Sequence, residues 1–247
     1  MTLRGRWAAL TLGALLTVPL AACGVLPSMP PPVPTDAVPT VRSTPTISAG
    51  SDQLSPDGFD AVRRMAVRIR NVGCGEVSTG SGFALTATTL VTNRHVVADS
   101  SRLQVSTYDG HDVDVTAAST AQLADLALVR TKENLPSAPE LAATDPRQGD
   151  PVTVVGYPLG GELTVTNGHV IGSTTDPLNS TLGQVLVTDA RVEPGSSGSA
   201  ALGADGKVIG VVYAKNDAGY SFLVPVSTLR TMLGDETGFE PAPTCAG

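Results

Sequence analysis

Apolar residues in this chain come in short runs. Runs rich in Val, Leu, Ile and Thr fall at 66–72, 82–86, 90–92, 103–108, 112–116 and 126–131, with Gly, Asp and Ser turns between them. A Pro-bearing stretch, 133–147, interrupts the series, and a second set follows at 152–157, 163–167, 169–174, 184–190, 199–202, 207–212 and 220–224. Runs of this length bounded by turn formers read as β-strands. Asp109-Gly110, Asn167-Gly168 and Asp205-Gly206 stand between successive runs and read as hairpin turns. Residues 227–233 read as a short closing helix with Ser227 as its N-cap. The pattern predicts an all-β chain with two six-stranded antiparallel barrels. The first covers about 60–132, the bridge 133–147 and the second barrel 148–226.

The first 55 residues have a different pattern. Arg4 and Arg6 precede an apolar run of about 14 residues, Trp7 to Leu20, too short to span a bilayer comfortably. A basic start, an apolar run and then small residues form an export signal. Leu20-Ala21-Ala22-Cys23 resembles the lipobox of bacterial lipoproteins, which implies a signal peptide over 1–22 and a lipid on Cys23. Ordinary signal cleavage nearby, giving a soluble secreted protein, is the alternative. Pro27, Pro30, Pro31, Pro32, Pro34, Pro39 and Pro45 follow, and a run so rich in Pro favours extended polyproline II over a packed core. Residues 23–55 therefore read as a lipidated stalk and 56–247 as the folded body, anchored to the outer face of the cell membrane.

Composition narrows the function classes. Hydrophobic residues make up 41% of the 247 residues, enough for a sizeable core. Aromatics are 4%, so that core is built from Val, Leu, Ala and Ile. The formal charge is −7, and −9 once Arg4 and Arg6 are removed, which argues against capture of nucleic acid. Three His and three Cys leave no room for a zinc ribbon or an iron–sulfur cluster, so no metal or cofactor is expected. With Cys23 lipidated, Cys74 and Cys245 remain, and export places them where a disulfide between them can form.

Three islands carry chemistry: His95 after Thr92-Asn93-Arg94, Asp125 before Leu126-Ala127-Leu128, and Ser197 within Gly195-Ser196-Ser197-Gly198-Ser199-Ala200. A hydroxyl nucleophile needs a base, and the base needs an orienting carboxylate. His95, Asp125 and Ser197 supply those three groups. Gly195 permits a tight turn in which its N–H and that of Ser197 converge on an oxyanion.

These motifs resemble the chymotrypsin-fold serine proteases, most nearly the bacterial HtrA/Deg type and the actinobacterial periplasmic acid-resistance proteases. Gly80-Ser81-Gly82-Phe83, Thr92-Asn93-Arg94-His95-Val96-Val97, Asp125-Leu126-Ala127-Leu128, Gly156-Tyr157-Pro158 and the Ser197 island are similar to that family's segments in the same order. The resemblance implies a cofactor-independent serine endopeptidase with His95, Asp125 and Ser197 as its triad, and protein or peptide substrates of the cell envelope. It implies an oxyanion hole from Gly195 and Ser197, and a specificity pocket walled by Val192, Tyr213, Ala214 and Lys215. Arg191 lies six residues before Ser197. With no Asp there, cleavage after Lys or Arg is not expected, and a small or medium apolar residue is.

The sequence also departs from the family pattern. Ser196 replaces the usual Asp, which removes the salt bridge of the trypsin zymogen switch. Ser199 replaces a Gly and threatens the hole's geometry. Those departures motivate the rival expectation, a catalytically impaired protease-like binding or adaptor lipoprotein. Only 14 residues follow Leu233, so no PDZ domain is expected.

The N-terminal reading predicts a mature protein that begins at lipid-modified Cys23 and contains no Trp. Intact mass of protein extracted from membranes checks this, and Cys23→Ala is expected to abolish lipid addition. An unmodified terminus downstream of Cys23 would overturn it.

Overall fold

The computed structural model describes residues 60–121, 123–178 and 182–245. The expected signal peptide, Cys23 and the whole of the stalk lie outside the described residues. A helical turn, α1 (Ala61–Arg64), opens the described body. The first group of strands is β1 (Ala66–Gly73), β2 (Val77–Thr86), β3 (Thr89–Asn93), β4 (Ser100–Thr107), β5 (Asp112–Val113), β6 (Val115–Ala121) and β7 (Leu126–Thr131). A second short helix, α2 (Arg94–Val97), follows β3 and carries His95. The second group is β8 (Pro151–Gly156), β9 (Thr164–Thr175), β10 (Gln184–Thr188), β11 (Ala200–Leu202), β12 (Val208–Lys215) and β13 (Ser221–Pro225). Helix α3 (Val226–Gly234) and strand β14 (Phe239–Pro241) end the fold.

The all-β expectation holds, and the second group closes into a six-stranded barrel in the order β10-β13-β12-β11-β8-β9. The first group differs from the expected closed barrel. It is an eight-stranded sheet in the order β14-β6-β7-β3-β2-β1-β4-β5, open between β5 and β14. Two strands explain the difference. The expected run at 112–116 breaks at Asp114 into the two-residue β5 and the longer β6. The chain end returns as β14 and pairs with β6, Phe239 opposite Ala121. Short, polar β14 has no apolar pattern that would mark it as a strand.

Two local expectations are corrected. Asn167-Gly168 is not a hairpin turn but lies inside β9, opposite Thr153 and Val152 of β8. A side chain at Gly168 would run into the Ala190 backbone, so Gly serves a close approach here and not a turn. Ser227 is not the N-cap of α3, because the cap residue is Pro225. The bridge supplies the capping carboxylate: Asp145 accepts the Ser227 N–H at 2.9 Å and the Ser227 hydroxyl at 2.6 Å.

The largest hydrophobic cluster joins the two bodies. Phe83, Val91, Leu126 and Leu128 of the first sheet belong to one cluster with Val155, Tyr213, Val224 and Phe222 of the second barrel. Phe83 and Phe222 are fully buried, so these two aromatics lie where they remove the most apolar area from water. Separate aliphatic clusters fill the first sheet around Val67, Ile69 and Val129, and the second barrel around Val154, Ile209 and Leu223.

The tail crosses from α3 back to the first sheet, and Cys74 and Cys245 form a disulfide there with Cα atoms 5.3 Å apart. The bond spans 171 positions of sequence, so in the unfolded chain it closes a long loop, a constraint of up to about 5 kcal/mol in the chain-entropy account. Replacing both cysteines by Ser is expected to lower the melting temperature by several degrees and to abolish its sensitivity to reductant. Thermal unfolding with and without dithiothreitol checks this.

Candidate active site

The site forms where the first sheet meets the second barrel. Asp125, in the turn entering β7, adopts the left-handed region with φ of +46°. That conformation is unfavourable for a residue with a side chain, and four hydrogen bonds hold it. The Asp125 carbonyl accepts the Asn93 side-chain N–H at 2.9 Å and the Arg94 N–H at 3.0 Å. One carboxylate oxygen accepts the His95 backbone N–H at 3.1 Å, and the other lies 2.7 Å from His95 Nδ1. Donation from Nδ1 to the carboxylate puts the imidazole proton on Nδ1 and leaves the Nε2 lone pair free to take a proton. His95 thus sits on a short helix whose entry is tied to the carboxylate it addresses.

Ser197 is 3% exposed and lies in the loop before β11. Its Oγ and His95 Nε2 are both buried and have no hydrogen-bond partner among the described residues. The structure therefore brings His95 and Asp125 into direct contact and leaves the Ser197–His95 hydrogen bond unmade. Such bonds are often long without substrate and shorten when it binds.

The loop around Ser197 is arranged peptide by peptide. In a trans peptide the carbonyl and the next N–H point in opposite directions. The Pro194 carbonyl accepts the Leu159 N–H, which turns the Gly195 N–H the other way. The Ser196 carbonyl accepts the Ser199 N–H at 3.0 Å, which does the same for the Ser197 N–H. Neither the Gly195 nor the Ser197 N–H has an acceptor among the described residues. Two unmatched donors flanking a buried hydroxyl are what an oxyanion requires. Gly195 and Gly198 have φ of +92° and +87°, and a side chain on Gly198 would run into the Ser81 carbonyl.

Ser81, which sequence reasoning saw only as part of a motif, ties these parts together. Its hydroxyl accepts the Tyr157 N–H at 2.8 Å and donates to the Gly195 carbonyl at 2.8 Å. Its own N–H donates to the Ser197 carbonyl at 2.8 Å, and its carbonyl accepts the Thr92 hydroxyl at 2.6 Å. Ser81 is fully buried. Sequence alone offers no signal that this hydroxyl bridges the two halves.

The two departures from the family pattern have local explanations. Ser196 N–H donates to the Glu193 carbonyl at 2.9 Å, and its hydroxyl accepts the Glu193 N–H at 3.4 Å, so the loop closes on itself where a salt bridge is unavailable. Ser199 is fully buried, and its Oγ occupies the space that a side chain at Gly156 would fill. The added hydroxyl lodges against Gly156. Of the expected pocket residues, Val192, Tyr213 and Ala214 are buried, while Lys215 donates to Glu193 Oε2 at 2.6 Å. The Tyr213 hydroxyl donates to Asp176 at 2.7 Å, and burial followed by that carboxylate holds the phenol protonated, well above the usual tyrosine range.

Ser81→Ala leaves a buried N–H and a buried carbonyl without their partner. The expected result is a loss of about 1–3 kcal/mol of stability by denaturant titration. Reaction of Ser197 with a fluorophosphonate is expected to slow by about tenfold or more as the hole loosens.

The Trypsin-like peptidase domain family matches residues 80–211, more than half of the chain. The mitochondrial serine protease HTRA2 of Bos taurus is 38% identical over 165 residues, covering 64% of this chain and 36% of that protein. The serine protease Do-like HtrA of Bacillus subtilis is 33% identical over 156 residues, covering 57% of this chain and 34% of that protein. The chain thus spans about a third of the length of these relatives. Among solved structures, the active form of the Rv3671c protease from M. tuberculosis superposes with a TM-score of 0.66 at 25% identity, covering 85% of this chain and 98% of that one. The serine endoprotease from Yersinia pestis gives a TM-score of 0.61 at 28% identity, covering 70% of this chain and 64% of that one. The chain belongs to the trypsin-like peptidase domain family, and its likenesses are to HtrA-type serine proteases.

Proposed function

We propose that this chain is an exported serine endopeptidase, anchored to the membrane through Cys23, that hydrolyses peptide bonds of envelope proteins. The observation that carries the reading is the pairing of His95 Nδ1 with Asp125 at 2.7 Å beside two unmatched N–H donors, on Gly195 and Ser197. Ser197 Oγ attacks the scissile carbonyl while His95 Nε2 takes its proton. Asp125 keeps the imidazole in the required tautomer and stabilises the cation that forms. The carbonyl oxygen becomes an oxyanion between the Gly195 and Ser197 N–H groups, which need no reorganisation at that moment. The imidazolium then protonates the leaving amine, and water repeats the sequence to free Ser197. The HtrA relatives support peptide substrates, and the apolar run Trp7 to Leu20 followed by the lipobox at Cys23 supports the anchor.

One observation favours the rival, a protease-like adaptor: the Ser197–His95 hydrogen bond is unmade. A fluorescent fluorophosphonate separates the two, because it reacts only with an activated serine. The folded, oxidised chain is expected to label, and Ser197→Ala to label at least about a thousandfold less. An unlabelled but folded chain across the pH range would favour the adaptor.

A further inference from the structure

Three segments lie together next to the Ser197 loop: residues 190–195, β12, which bonds to Gly198 and Ser199 through Val212, and β13 with the turn at 216–220 that leads into it. They are clamped together. The Ser221 hydroxyl donates to the Ala190 carbonyl at 2.6 Å, Lys215 pairs with Ser221 across the β12–β13 ladder, and Lys215 Nζ donates to Glu193 at 2.6 Å. Arg191 reaches across this frame. A side chain added to Gly219 would place its first carbon 3.6 Å from the Arg191 guanidinium carbon and 3.6 and 3.9 Å from the two terminal nitrogens. Near-equal distances mean that the guanidinium lies face-on to Gly219. Gly219 has φ of +87°, so both its conformation and its bareness suit this contact.

A guanidinium laid flat against the backbone keeps its N–H edges free. Arg191 has no hydrogen-bond or ion-pair partner among the described residues. The acids on its own segment are already engaged. Lys215 takes Glu193, and Asp189 accepts the His169 N–H at 2.6 Å. The chain carries 23 acidic against 16 basic residues, so an unmatched, positioned cation six residues from the nucleophile is against its own composition. Buried Val192 and Ala214 belong to the same frame and make its interior apolar.

We infer that Arg191 receives the carboxylate of an acidic side chain on the substrate residue whose carbonyl Ser197 attacks, so that the chain cleaves after glutamate or aspartate. This rests on the peptidase reading above and replaces the apolar preference expected from sequence. A planar fork of N–H groups pairs with a carboxylate through two parallel bonds, which a neutral side chain of the same shape cannot reproduce.

The test uses two peptidyl phosphonate probes that differ only in glutamate or glutamine at that position, with a non-peptidic fluorophosphonate as reference. Rates of Ser197 modification are measured on the 247-residue chain. The glutamate probe is expected to react about ten- to a hundredfold faster than the glutamine probe. Arg191→Ala is expected to bring the ratio to about one, and Arg191→Glu to invert it. A ratio at or below one in a chain that reacts with the fluorophosphonate overturns the acidic preference and leaves the peptidase reading standing. A ratio unchanged by Arg191→Ala overturns the assignment to Arg191. Failure of the fluorophosphonate itself removes the peptidase reading, and this inference with it.

Discussion

The site depends on a hydroxyl that must satisfy two backbone groups at once. Ser81 lies on β2 of the first sheet, but the groups it bonds belong to the second barrel. It accepts from the Tyr157 N–H and donates to the Gly195 carbonyl, so its proton has one direction available. With the Ser81 amide holding the Ser197 carbonyl, three successive segments of the site are fixed to one residue. Leaving any of these groups unpaired in so dry a place is costly, which makes the arrangement close to all-or-none. His95 and Asp125 come from one body and Ser197 from the other. The shared apolar cluster around Phe83 and Phe222 brings the bodies together, and Ser81 sets their registration at the point where chemistry requires it.

The islands around Asp125 and Ser197 were legible in the sequence because each needs an unusual local backbone, and unusual backbones leave marks. The glycines flanking Ser197 signal a turn with left-handed residues, and Gly195 and Gly198 adopt that conformation. The short β runs were legible because strands in a Val- and Leu-rich core are bounded by turn formers. What was not legible depended on partners distant in sequence. The first body was expected to close but stays open, because β14 arrives from 118 residues downstream of its partner, Phe239 opposite Ala121. Asn167-Gly168 reads as a turn by every local rule, yet Gly168 is there to admit the Ala190 backbone. Ser227 looks like a helix cap, but the capping carboxylate comes from Asp145 in the bridge. The role of Ser81 belongs to the same class, since nothing within its own strand requires a hydroxyl.

Ser199 shows how a departure from a family pattern can be absorbed locally. The side chain it adds is directed at the α-carbon of Gly156, the glycine of the Gly156-Tyr157-Pro158 segment. That glycine is adjacent to the N–H that Ser81 accepts, so the compensation takes place within the same small volume that fixes the nucleophile loop. A glycine on one side of a tight contact and a small hydroxyl on the other fill the space that two glycines would leave open.

The return of the tail to the first sheet changes what a cut in the chain would do. With Cys74 joined to Cys245, every peptide bond between them lies on a covalent ring that includes the bridge at 133–147, the second barrel and α3. Hydrolysis of a single bond anywhere on that ring opens it without releasing a fragment. The bridge, which bonds to β12 through Glu140 and Ala142 and buries Leu135, can therefore be nicked while its two ends stay in one molecule. Integrity of the described body is then a matter of two bonds rather than one.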